Sequence, residues 1–215
     1  MRMFETVAAG LFTLLSTPAL ADLPVAQSSW GGCNYRLHLV EDSRIDPIKY
    51  TTTTFYRVIV DSEVVSSATC HLTPGSVELG TSDEVVPNID IEATEEGLVV
   101  AYSSAGWTRF YGYRSHVEVK RLDPNSLATT RTSYLEGGHL PPGGGAGGPG
   151  ETNLGEIVIL PGAIMVFGSL GGNSISDLNA SPYENTQGTG NAFTATYVDF
   201  FNSTTRPFFS IYQGY

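Results

Sequence analysis

The stretch Asn88-Ile89-Asp90-Ile91-Glu92, the break at Glu95-Glu96-Gly97 and the run Leu98-Val99-Val100-Ala101-Tyr102-Ser103 together decide the fold class. The first segment alternates with period two, which predicts a strand with its isoleucines inward and its carboxylates and amide outward. Glu95-Glu96-Gly97 reads as a hairpin turn, and the Val- and Tyr-rich run after it as the returning strand. Working outward, similar runs recur at Tyr35–Glu41, Thr52–Asp61, Glu63–His71, Ser76–Leu79, Thr108–Tyr113, Ser115–Leu122 and Ala128–Tyr134. Further runs follow at Glu156–Leu160, Ala163–Ser169, Ala192–Phe201 and Pro207–Gln213, with Gly, Pro, Asn, Asp and Ser between them. Strands at this spacing with turn chemistry between them predict an all-β, mostly antiparallel β-sandwich of many short strands. Ile157-Val158-Ile159-Leu160 and Ala163-Ile164-Met165-Val166-Phe167 do not alternate, and read as central strands covered on both faces.

A small β-propeller-like array is the alternative. Gly97–Gly106 matches Gly162–Gly171 in residue class at most positions, and the first copy looks like one blade. Two copies do not make the regular period a propeller needs. The Gly/Pro-rich segment 137–150 reads as a flexible loop within one all-β domain spanning 22–215. Its formal G-x-G-x-x-G, at Gly143, Gly145 and Gly148, lacks the strand before and helix after that a dinucleotide site requires.

The N-terminus predicts export. Arg2, the apolar run Val7–Leu15 and the small-residue triplet Ala19-Leu20-Ala21 follow the order of a signal peptide over 1–21, with the mature chain beginning at Asp22. The expected location is periplasmic or extracellular, and no later segment is long and apolar enough for a transmembrane helix. In such a compartment Cys33 and Cys70, the only two cysteines, are expected to form a disulfide. The net charge of −11, from 11 basic and 22 acidic residues, repels phosphate backbones and excludes sequence-tolerant nucleic-acid binding. Four scattered histidines and two cysteines show no zinc-site spacing, so neither a metal nor a cofactor is expected.

No catalytic signature is present. Phe167-Gly168-Ser169-Leu170-Gly171 has Phe where a nucleophile elbow needs Gly. The acidic stretch Glu78–Glu96 reads as a solvated face. In Trp107-Thr108-Arg109-Phe110-Tyr111-Gly112-Tyr113, period two places Trp107, Arg109, Tyr111 and Tyr113 on one strand face. Aromatic planes interleaved with a guanidinium suit the stacking and hydrogen bonding of sugars. Basic residues Arg109, Arg114, Lys120, Arg121 and Arg131 cluster there, which favours anionic sugars. The predicted function is an exported, non-catalytic binding module or envelope protein whose partner is a glycan or another envelope protein. One alternative is a secreted carbohydrate-active enzyme using acidic residues of 78–96 or a His116/Glu118 pair. A second is a structural envelope subunit, and the sequence does not set its oligomeric state.

Overall fold

A computed structural model describes residues 23–45, 50–83, 85–108, 112–141, 148–179 and 185–214. The predicted signal peptide therefore lies outside the described residues. In chain order the strands are β1 (Val25–Trp30), β2 (Cys33–Ile45), β3 (Thr52–Val64), β4 (Gly75–Asp83), β5 (Ile89–Thr94), β6 (Gly97–Thr108), β7 (Gly112–Leu122), β8 (Thr129–His139), β9 (Gly148–Pro149), β10 (Thr152–Leu160), β11 (Ala163–Leu170), β12 (Ser174–Asp177), β13 (Thr186–Gln187), β14 (Ala192–Val198) and β15 (Phe208–Tyr212). All pairs are antiparallel. They form an N-terminal sheet, β1-β2-β3-β4, a central sheet, β13-β12-β8-β7-β6-β5 with β9 beside β8, and a C-terminal sheet, β10-β11-β14-β15. Among the described residues no helix is long and apolar enough to cross a membrane.

The sandwich is all-β as predicted, and it has three layers. Strand β6 explains why. Leu98, Val100 and Tyr102 pack against Leu37, Val58, Val60 and Leu79 of the N-terminal sheet. The alternate residues Val99 and Ala101 pack against Leu154, Ile164, Val166 and Phe193 of the C-terminal sheet. A strand with apolar groups on both faces must be covered twice, so the central sheet carries a core on each side. The sequence reading assigned that place to Ile157–Leu160 and Ala163–Phe167, and the structure corrects it. Strand β10 is an edge, and β11 buries Ile164 and Val166 while leaving Met165 and Phe167 half-exposed. An apolar run alone does not distinguish a doubly covered strand from one with an uncovered apolar face.

Other expectations change for physical reasons. The strands are not all short: β2 and β3 have 13 residues each and β6 has 12. Ser103, Ser104 and Gly106 lie inside β6 and terminate nothing. The Gly97 and Gly162 segments resemble each other because β6 and β11 each return from a tight hairpin turn, at 95–96 and 161–162. They are not propeller blades, and the strand order shows neither a propeller nor a closed barrel among the described residues. The loop expected over 137–150 is also narrower than predicted. Gly137–His139 end β8, and Gly148–Pro149 pair back onto Gly138 and His139. Gly137 is buried, and a side chain there would collide with Leu170. Positions 142–147 lie outside the described residues.

The three layers are stitched along their edges by side chains. Unpaired backbone groups on a sheet edge must find partners or meet water. On β10, the Leu154 amide donates to Ser103 Oγ (2.8 Å), the Thr152 amide to Ser115 Oγ (2.8 Å) and the Ile157 amide to Asp90 Oδ2 (2.6 Å). Asp90 therefore faces the C-terminal sheet and not solvent, as its alternation had suggested. On β4, the Thr81 carbonyl accepts from Ser104 Oγ (2.8 Å) and the Asp83 carbonyl from the Tyr113 hydroxyl (3.4 Å). The adjacent serines 103 and 104 thus hold opposite outer sheets. Ser103→Ala strands a buried amide and should cost about 1–3 kcal/mol. Chemical denaturation measures it, and an unchanged midpoint would show that the Leu154 amide has another partner.

Candidate functional site

The N-terminal sheet covers only part of the central sheet. It meets it through β4 against β6 and through β1 and β2 against β5, and beside β4 two grooves follow the same face over β6, β7, β8 and β12. The β6–β7 register, Tyr102 opposite Glu118, Ser104 opposite His116 and Gly106 opposite Arg114, places all six on this face. Glu118 opposite Tyr134 and Glu136 opposite Ser176 extend it across the sheet.

At the covered boundary lies a buried polar cluster. Leu79 is the extra residue of a bulge in β4, and its carbonyl accepts from the Tyr102 hydroxyl (3.0 Å) and from Lys120 Nζ (2.8 Å). Both groups also bond Glu118 Oε2, each at 2.9 Å, and His116 Nε2 lies 3.4 Å from Glu118 Oε1. Burial opposes the charge on Glu118. Hydrogen bonds from His116, Lys120 and Tyr102, with the Lys120 charge, outweigh it and hold the carboxyl below its ordinary value. Burial, reinforced by Glu118, pushes the Tyr102 hydroxyl far upward, so it acts as a fixed donor. Gly80 admits this arrangement, because a side chain there would collide with the Tyr102 hydroxyl.

Outward from the cluster, two grooves of about 490 and 300 Å3 meet at one ion pair. Arg114 Nη1 bonds both Glu136 oxygens, at 2.7 and 3.0 Å. The larger groove runs from this pair past His116 and Ser104 to the Arg44–Asp83 pair (2.8 Å) on β2 and β4. The smaller continues past Ser174, Ser176 and Pro149. The track is lined with two ion pairs, hydroxyls and an imidazole. His116 also packs against the half-exposed Tyr134 ring, with centroids 5.4 Å apart.

The four residues predicted as a ligand face fall differently from the expectation. Trp107 and Tyr113 are cross-strand partners at the end of the β6–β7 hairpin, and Arg109 and Tyr111 lie outside the described residues. Trp107 and Tyr113 therefore stand on two paired strands and not on one. The hairpin end nonetheless adjoins the larger groove, since Gly106 and Asp83 line it and Tyr113 bonds the Asp83 carbonyl. Sequence reading paired His116 with Glu118 and counted Arg114 among nearby basic residues, but it did not bring Arg44, Asp83 or Glu136 to this site. Once 97–108 and 112–122 are paired, the period-two face of His116 includes Arg114. Asp83 and Arg44 arrive from another sheet and leave no local signal.

The basic residues expected to attract anionic sugars are largely engaged internally. Lys120 holds Glu118, and Arg121 donates to the Phe200 and Phe201 carbonyls. Arg131 donates to Ser203 and lies over the Phe200 ring at 4.8 Å. The acidic stretch is likewise put to structural use: Arg57 holds Glu78, Arg44 holds Asp83, Asp90 receives the Ile157 amide, and Glu92 accepts from Ser28. Cys33 and Cys70 form the predicted disulfide, with Cα atoms 5.1 Å apart. Among the described residues no group of three or more His, Cys, Asp or Glu could hold a metal ion. Comparison with protein-family models, curated proteins and solved structures returned no match.

Proposed function

We propose that the protein is an exported, non-catalytic glycan-binding module whose site is the double groove on the open half of the central sheet. The observation that carries this reading is the Arg114–Glu136 pair at the junction of two grooves. A guanidinium and a carboxylate held side by side offer donors and acceptors together, the pairing that a sugar's vicinal hydroxyls require. The length of the track suits an oligosaccharide. Tyr113, bonded to the Asp83 carbonyl, sets one aromatic ring beside its mouth. Because the arginines are matched by Glu136 and Asp83, a neutral glycan fits better than an anionic one. The disulfide supports an oxidising, exported location.

Glycoside cleavage is disfavoured by the state of the carboxylates. A glycosidase needs one carboxylic acid kept protonated near neutral pH. Glu118 is driven the other way, and both Glu136 oxygens are occupied by Arg114 Nη1.

A screen of neutral and acidic oligosaccharides against the purified protein tests the proposal. A neutral oligosaccharide should bind without being cleaved. Arg114→Ala, and Arg44→Ala at a largely exposed side chain, should each weaken binding at least tenfold with the fold retained. Hydrolysis of the bound glycan would move the reading to the enzyme. Binding unaffected by both substitutions would remove the groove from the account.

A further inference from the structure

The outer face of the C-terminal sheet is apolar and carries almost no charge. Its strand registers set side chains in rows. Val158, Met165, Thr196 and Phe208 form one, and Leu160, Ala163 and Val198 the next. Every one of these points away from the core lined by Ile164, Val166 and Tyr197. Phe208 is 68% exposed, Val198 53% and Leu160 42%. The row on the other side holds Glu156 opposite Phe167, then Thr194 and Ser210. Glu156 is the only carboxylate on the face among the described residues, and no Lys, Arg or His stands on it.

We propose that this face is a homodimer interface, on which a second copy of the chain packs sheet against sheet about a two-fold axis. Charge selects the partner. A chain of net charge −11 repels its own copy over most of its surface, and a face with one carboxylate at its margin is where that repulsion is least. Geometry supports the same partner. The molecule already packs its own sheets face to face at two internal interfaces, and an isologous third contact repeats that packing with identical surfaces. Four strands roughly 4.8 Å apart give a contact that buries on the order of 1,000 Å2 in total, near the lower bound for specific association. The dimer is accordingly weak and reversible.

Sedimentation equilibrium of the purified protein from 1 to several hundred micromolar tests this, and the expected Kd is of the order of ~10–100 μM. Raising the salt concentration should tighten the dimer, because screening weakens the repulsion between two acidic copies. Phe208→Lys and Met165→Lys should each weaken it at least tenfold while leaving the thermal transition in place. Trp30→Ser, at a half-exposed ring on β1 far from this face in the strand order, should leave it unchanged. A second pair, Phe208→Ser and Val198→Ser, keeps the test open should a lysine variant fail to fold. A strictly monomeric protein at all concentrations would overturn the proposal, as would a dimer indifferent to all four face substitutions. A monomer that instead binds neutral lipid vesicles through Phe208 would assign the face to a membrane surface and equally overturn it. Glycan binding in the groove is read separately, so either conclusion can fail without the other.

Discussion

Glu118→Leu should destabilise the protein by roughly 3–5 kcal/mol, the cost of leaving a buried ammonium without its counter-charge. Lys120 is only 8% exposed, and its partners are Glu118 and the Leu79 carbonyl. The double variant Glu118→Leu/Lys120→Met removes both charges and should recover most of the loss, because two apolar side chains of similar size satisfy a dry site. Equilibrium denaturation of the three proteins measures both effects. A double variant no better than the single one would mean that Glu118 serves the fold through Tyr102 and His116, not through Lys120. The same residue sets an acid limb. Its carboxyl titrates lower in the folded chain than the ordinary value of 4.5. Its contribution is therefore complete above about pH 4.5 and is lost as the pH falls through the depressed folded value. The double variant should show a flatter decline below pH 4.5 than the parent.

Loss of the Cys33–Cys70 bridge should cost roughly 2–5 kcal/mol. The bridge spans 37 positions and ties the irregular segment after β3 to the start of β2. Cys70 and Leu72 belong to the core between the N-terminal and central sheets, yet the segment that carries them is in no strand. Its backbone anchors are few: the Val65 and Ser66 amides share the Gly32 carbonyl, and the Cys70 amide donates to Ser66. Without the bridge, Cys70 and Leu72 have little to hold them in place. Cys33→Ser/Cys70→Ser, or reductant added to the parent, should lower the melting temperature. In the native protein neither sulfur should react with an alkylating reagent until reductant is present. Ready labelling of Cys33 without reductant would contradict the bridge.

The sequence was legible where a residue's role depends on its near neighbours. Period two at Asn88–Glu92 gave the strand and its inward isoleucines though not the cover over Asp90, and the Glu95-Glu96-Gly97 turn and the lone cysteine pair gave their answers locally. Three layers were not legible as such, because the signal for a doubly covered strand is an unbroken apolar run. Leu98–Tyr102 and Ala163–Phe167 both have one, and only the first is covered twice. The role of serine was not legible either. Ser103 and Ser115 were read only as strand residues, and with Ser104 they receive or cap the edges of other sheets. The site was half visible. His116, Glu118 and Lys120 share a face by simple alternation. Arg44 and Asp83 stand on β2 and β4 of another sheet, with β3 between them, and their meeting with Ser104 and Arg114 is a product of layer packing alone.

The groove is tested most directly by mapping where a glycan sits. Backbone amide shifts recorded by NMR during titration with the best-binding neutral oligosaccharide should move at Thr81, Ser104, Gly106, His116 and Glu136. Those on the outer face of the C-terminal sheet, such as Thr196 and Ser210, should stay in place. Shifts confined to residues outside both grooves, with Arg114 and His116 unmoved at saturation, would contradict the assignment.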